Sequence, residues 1–265
     1  MVKTAGWILA IISIIAFAIL LLLYFAQEKL IFHPEKLQKN HKYSFSKQFE
    51  EYFIKVDGKT ELNALLFKAD SSRGLVFYLH GNAGSLDSWG DVAGLYLKQN
   101  YDVFIVDYRG YGKSDGKISN EKQITNDIQK TYDFARKNYD ESKIIIIGYS
   151  IGTGPAAKLA ADNNSKMLIL KAPYYNLGDL IHHYYPFLPS FILKYKFETN
   201  EQLKKITAPI YIFHGDKDEV IYHGSSVKLS KLLKDTDKFI TLKGQIHNGV
   251  NDNEEYRRSI SEILK

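Results

Sequence analysis

Apolar residues fall along this chain in three patterns, and each predicts a different element. From Thr4 to Gln27 no charged residue occurs, and 5–26 is apolar apart from Gly6 and Ser13. As a helix that run would be about 33 Å long, against a bilayer hydrocarbon core of about 30 Å. Further on, short, mostly apolar runs recur at 51–56, 62–67, 74–79, 103–106, 144–147, 167–170, 210–213 and 239–242. They are rich in β-branched and aromatic residues and read as strands. Between them lie stretches with helical spacing, such as Ile124, Ile128, Tyr132 and Ala135 within 120–138. Ile144 to Ile147 are four consecutive isoleucines without alternation, which suits a central parallel strand buried on both faces. Asp57-Gly58 between the first two runs signals a hairpin and an antiparallel edge. Strand and helix in alternation predict an α/β fold, a mostly parallel sheet covered on both faces.

The third pattern interrupts this alternation. Residues 174–200 are dense in aromatics, among them Tyr174, Tyr175, Tyr184, Tyr185, Phe187, Phe191, Tyr195 and Phe197, with Pro186 and Pro189. Such a stretch reads as a short cap of a helix or two. The chain thus divides into a transmembrane anchor at 5–26, a linker at 27–46 and one domain at 47–265 that contains the cap. Trp7 and Tyr24 lie near the ends of the anchor, where amphipathic rings favour the interface. A cleaved signal peptide is the competing reading, but the run is long for one and Tyr24-Phe25-Ala26 lacks a small-x-small cleavage pattern. Orientation stays open. Lys29, Lys36, Lys39 and Lys42 after the span pull the domain towards the cytoplasm, whereas a short basic start is also how exported proteins begin.

Composition narrows the chemistry. A chain of 265 residues suffices for one large domain, and its net charge of +5 is spread out rather than gathered in a nucleic-acid-binding patch. Without cysteine there is no disulfide and no thiolate metal site. His182, His183, His214 and His223 lack metal-ligand spacing and read as packed or solvated residues, so neither metal nor organic cofactor is expected. The informative motif is Gly148-Tyr149-Ser150-Ile151-Gly152, which follows the isoleucine strand directly and precedes a helix with small residues and Pro155 in its first turn. Strand, tight turn and helix are the context of a nucleophile elbow, with Ser150 at the apex. A serine hydroxyl alone is a poor nucleophile; it needs a base, an orienting acid and oxyanion donors. In an open parallel sheet these gather at the carboxyl ends of strands. The residues found there are His80-Gly81-Asn82, Asp107-Tyr108-Arg109, Ser150, Asp218 and His247.

Nucleophile, acid and base in the chain order Ser, Asp, His resemble the α/β-hydrolases. More narrowly, Leu79-His80-Gly81-Asn82-Ala83-Gly84-Ser85, Asp107-Tyr108-Arg109-Gly110-Tyr111-Gly112-Lys113-Ser114 and His214-Gly215-Asp216-Lys217-Asp218 are similar to motifs of the membrane-anchored α/β-hydrolase-domain serine hydrolases. That branch includes eukaryotic protein depalmitoylases and bacterial members with an N-terminal hydrophobic anchor. The resemblance implies Ser150 as nucleophile, His247 as base and Asp218 as acid, four residues after His214; Asp216 is the competitor for the acid. It also implies an oxyanion hole from the backbone N–H groups of Ile151 and Asn82. Asp107 is expected to brace loops and Arg109 to pair internally. The apolar cap, through Tyr174 and Tyr175, is expected to wall an acyl pocket. Expected substrates are small-molecule or lipid-like acyl esters or thioesters, or an acylated protein, presented at the membrane. An amidase or peptidase of the same fold and a non-catalytic membrane-tethered binding protein remain as alternatives.

Overall fold

The computed structural model describes residues 2–265. A helix, α1 (Val2–Ile31), leads into an eight-stranded sheet. In chain order the strands are β1 (Phe49–Lys55), β2 (Glu61–Phe67), β3 (Leu75–Leu79), β4 (Asp102–Val106), β5 (Ile144–Tyr149), β6 (Met167–Lys171), β7 (Ile210–Gly215) and β8 (Lys238–Leu242). Their spatial order is β1-β2-β4-β3-β5-β6-β7-β8. The β1–β2 and β2–β4 pairs are antiparallel and the remaining five parallel. Between them run α2 (Leu86–Trp89), α3 (Ala93–Leu97), α4 (Glu121–Ala135), α5 (Thr153–Asp162), α6 (Leu177–Tyr184), α7 (Thr199–Leu203), α8 (Gly224–Ser230) and finally α9 (Glu254–Ile263).

The isoleucine strand shows why the sheet has two cores. Side chains alternate across a strand, so Ile144 and Ile146 pack with Ile124 and Ile128 of α4 and Ala156 and Ala160 of α5. Ile145 and Ile147 face the other way, towards Ala93 and Tyr96 of α3 and Tyr256 and Ile260 of α9. All four are fully buried, as a strand covered on both faces requires. Between Ser85 and Lys98 the chain is not one helix but α2, a 3₁₀ turn at Gly90–Val92 and α3. Gly90 lies against the ring of Phe45, where a Cβ would come within 2.3 Å.

At the N-terminus, α1 is long and apolar enough to cross a membrane, and its apolar window is not covered by the rest of the protein. It runs on to Ile31, past the apolar stretch. Residues 27–46, expected as a linker, lie packed on the domain: Gln27, Phe32 and Tyr43 are buried, and His33–Pro34 pairs in parallel with Ala83–Gly84. The aromatic insert folds into α6, a 3₁₀ turn at Ser190–Ile192 and α7.

Candidate active site

The sharp turn after β5 sets the site. Ser150 has φ of +53°, a left-handed conformation that a non-glycine residue adopts at a cost of roughly 1–3 kcal/mol. Flanking glycines make the turn possible. A Cβ on Gly148 would lie 2.7 Å from the carbonyl oxygen of Gly152, and one on Gly152 would lie 2.5 Å from that of Leu79. The turn therefore presses directly against the end of β3, beside the His80-Gly81-Asn82 loop.

Three side chains distant in sequence meet here. His247 Nε2 lies 3.0 Å from Ser150 Oγ, and His247 Nδ1 lies 2.7 Å from Asp218 Oδ2. His247 follows β8 and stacks on Tyr149, whose hydroxyl donates to the His247 carbonyl at 2.5 Å. Asp218, in the turn after β7, accepts from the backbone N–H of Val220 and Ile221 at 2.9 and 2.8 Å. Burial pushes its carboxyl pKa up, but hydrogen bonds from His214 and His247, the positive field of His247 and the Ile221 N–H outweigh burial and hold it well below the usual carboxylate range. Asp216, the competing acid, accepts from the Gly244 N–H at 2.7 Å and is exposed.

Asn82 is held from several sides. Its carbonyl accepts from the His33 N–H at 2.8 Å and the Tyr111 hydroxyl at 2.7 Å, and its side chain donates to the Ile31 carbonyl at 3.2 Å. Its own N–H meets no acceptor among the described residues. Ile151 immediately follows Ser150 in the turn. A cavity of about 400 Å³ nearby is lined by Ala83, Trp89, Tyr149, Lys171, Asn248 and Asp252, and not by Ser150, Asn82 or His247.

The structure does not place Tyr174 where a substrate would touch it. The ring is fully buried, and its hydroxyl accepts from the Gly154 N–H at 3.1 Å and donates to the Ile151 carbonyl at 3.0 Å. It braces the elbow from below. Tyr175 is half-buried against the core. Arg109 does pair internally, with Asp127 at 2.5 and 2.8 Å and Asp57 at 2.7 Å. Two groups had no functional reading in the sequence. His214, fully buried, donates from Nε2 to the Ile221 carbonyl at 2.8 Å with Asp218 Oδ2 3.2 Å away, and its Nδ1 lies 2.6 Å from Ser226 Oγ, so it packs beside the acid candidate. Its place four residues before Asp218 was the available signal. Lys171, also fully buried, donates to Tyr78 and Asn251 at 2.8 and 2.7 Å, and burial pushes its pKa well down. Among the described residues no group of three or more His, Cys, Asp or Glu is placed to hold a metal.

Comparison with known proteins places the chain. The Hydrolase_4 family model, described as serine aminopeptidase S33, matches residues 70–197. Alpha/beta hydrolase domain-containing protein 17B of Xenopus laevis is 32% identical over 183 residues, covering 68% of this chain and 62% of its own. Lysophosphatidylserine lipase ABHD12 of Macaca fascicularis is 29% identical over 196 residues, 66% of this chain and 49% of its own. The chain thus spans between about half and two thirds of these relatives' lengths. The Pyrococcus furiosus esterase Pf2001 superposes with a TM-score of 0.70 at 19% identity, over 88% of this chain and 96% of its own, a likeness of fold. With its strand order, its elbow and these relatives, the chain belongs to the α/β-hydrolase superfamily.

Proposed function

We propose that the protein is a membrane-anchored serine hydrolase that cleaves carboxylic ester or thioester bonds of lipid-like or acylated substrates through an acyl-enzyme on Ser150. The observation that carries this reading is the continuous line Ser150–His247–Asp218, with links of 3.0 and 2.7 Å. In it His247 Nε2 takes the Ser150 proton as Oγ attacks the acyl carbonyl, and Asp218 stabilises the resulting imidazolium. The tetrahedral oxyanion accepts from the N–H groups of Asn82 and Ile151, worth about 3 kcal/mol per donor. His247 then protonates the departing alcohol or thiol, and water repeats the sequence to release the acid.

The relative named a lysophosphatidylserine lipase supports an ester substrate with a lipid acyl chain, and α1 supports presentation at a membrane. A second reading, amide or peptide cleavage, is favoured by the aminopeptidase description of the matching family model. Matched ester and amide substrates of rising acyl length discriminate. The ester should be preferred, with kcat/KM increasing with chain length, and Ser150→Ala should reduce turnover roughly 10⁴-fold or more. Preference for the amide, or for acetyl esters, overturns the substrate assignment.

A further inference from the structure

The cap carries an apolar surface that the proposed chemistry does not use. Within eight residues Tyr184, Tyr185, Phe187 and Phe191 are 41, 53, 78 and 82% exposed. Large aromatics this open mark a surface that something covers. What covers it follows from where the cap is tied. Gln27, the first residue beyond the apolar run of α1, is buried against the cap, donating to the Ile192 carbonyl at 2.8 Å and accepting from the Lys194 N–H at 2.9 Å. The next residue, Glu28, takes Lys194 Nζ at 3.2 Å and the Tyr195 hydroxyl at 3.0 Å.

We propose that the cap tip, from Tyr184 to Phe191, is a membrane-docking surface that sits in the headgroup layer of the leaflet from which α1 emerges. The proposal rests on α1 spanning the bilayer. Where it does, Gln27 lies at the hydrocarbon boundary, and the interfacial layer beyond is about 5–8 Å deep. Phe191 is the chain neighbour of Ile192, about 3.8 Å away by Cα, so the bond from Gln27 fixes it within that layer. Tyrosine and phenylalanine rings gain by leaving water for this level. The same cap touches the acid loop: the Tyr184 hydroxyl donates to the Glu219 carbonyl at 3.2 Å, and His183 stacks on Tyr222 at 3.8 Å. A site whose cap is seated in lipid draws its acyl substrate from the lipid phase rather than from water.

The absence of cysteine makes a site-specific test free of background. Full-length Phe187→Cys, and separately Phe191→Cys, is labelled with a nitrobenzoxadiazole fluorophore and reconstituted into phosphatidylcholine–phosphatidylglycerol vesicles. The comparison is Lys98→Cys, an exposed position at the end of α3 that precedes the amino end of β4, whereas the cap follows the carboxyl end of β6. Nitroxide lipids should quench the two cap labels at least threefold more than the label at 98. Equal quenching at all three positions overturns the proposal. So does a cap label shielded from water without lipid quenching, which would indicate a second copy or a protein partner on this surface, and so does failure of the chain to enter vesicles. Hydrolysis of a water-soluble ester by the same samples reports the catalytic reading separately, since quenching does not depend on turnover.

Discussion

Two buried histidine–aspartate pairs stand over neighbouring strand ends of this sheet, and of the two the second reaches Ser150 in the turn after β5. His80 and Asp107 follow β3 and β4; Asp218 and His247 follow β7 and β8. The first pair is sealed. Both side chains are fully buried, the His80 ring lies among Trp89, Tyr108 and Tyr111, and its Nδ1 is 2.7 Å from the Gly81 carbonyl. Its Nε2 is 3.3 Å from Asp107 Oδ1 without forming a hydrogen bond. Asp107 therefore has few donors, and burial pushes its pKa up, although His80 and the Leu86 N–H pull the other way. Asp218 has two backbone N–H donors and a hydrogen bond to His247, with His214 Nε2 also 3.2 Å away, and together these outweigh its burial. The same residue types thus give a sealed pair in one place and, in the other, a carboxylate held in its charged form beside the imidazole that reaches Ser150. Donor count around the carboxylate separates them.

Substitutions matched across the two pairs test this distinction. Asp218→Asn should lower kcat roughly 10⁴-fold, with the fold retained by circular dichroism. Asp107→Asn should leave kcat within about threefold while lowering unfolding free energy by roughly 1–3 kcal/mol. If the Asp107 variant proves the slower enzyme, the assignment of the two pairs is reversed. A smaller effect concerns pH. Because Asp218 is held below the ordinary carboxylate value of about 3.9, its stabilising contribution is complete above that value and vanishes as pH falls through the lower folded-state value. The stability difference between wild type and Asp218→Asn should therefore stay level from about pH 7 to 5 and close only below about 4. Closure near pH 6 would attribute it to an imidazole instead. Smallest of all, Asp216→Asn should change kcat less than about threefold, since among the described residues that carboxylate holds only the Gly244 N–H. A loss greater than that of Asp218→Asn would move the acid to 216.

The comparison also marks what was legible in the chain. The elbow was, because four buried isoleucines, two glycines and a run of small residues leave one local geometry for Ser150. The sheet was, because apolar runs too short for helices recur between helical spacings. The difference between Asp218 and Asp107 was open only to resemblance: both are aspartates at strand ends, and what distinguishes them is backbone N–H groups that no side-chain pattern reports. Tyr174 was misplaced for a related reason. Aromatic density at 174–200 identifies a cap, but not which ring turns inward to bond the elbow and which turns out to lie exposed. Residues 27–46 looked like a linker because their contacts are single polar or aromatic anchors, such as Gln27 and Phe32, without periodicity.

Everything depends on Ser150 being the nucleophile, and a fluorophosphonate probe asks this directly. The folded full-length protein is labelled, digested, and the adduct located by mass spectrometry. One adduct, on the peptide carrying Ser150, absent in Ser150→Ala and much slower to form in Asp218→Asn, is the predicted result. No adduct on folded wild-type protein, or an adduct on another residue, contradicts the account.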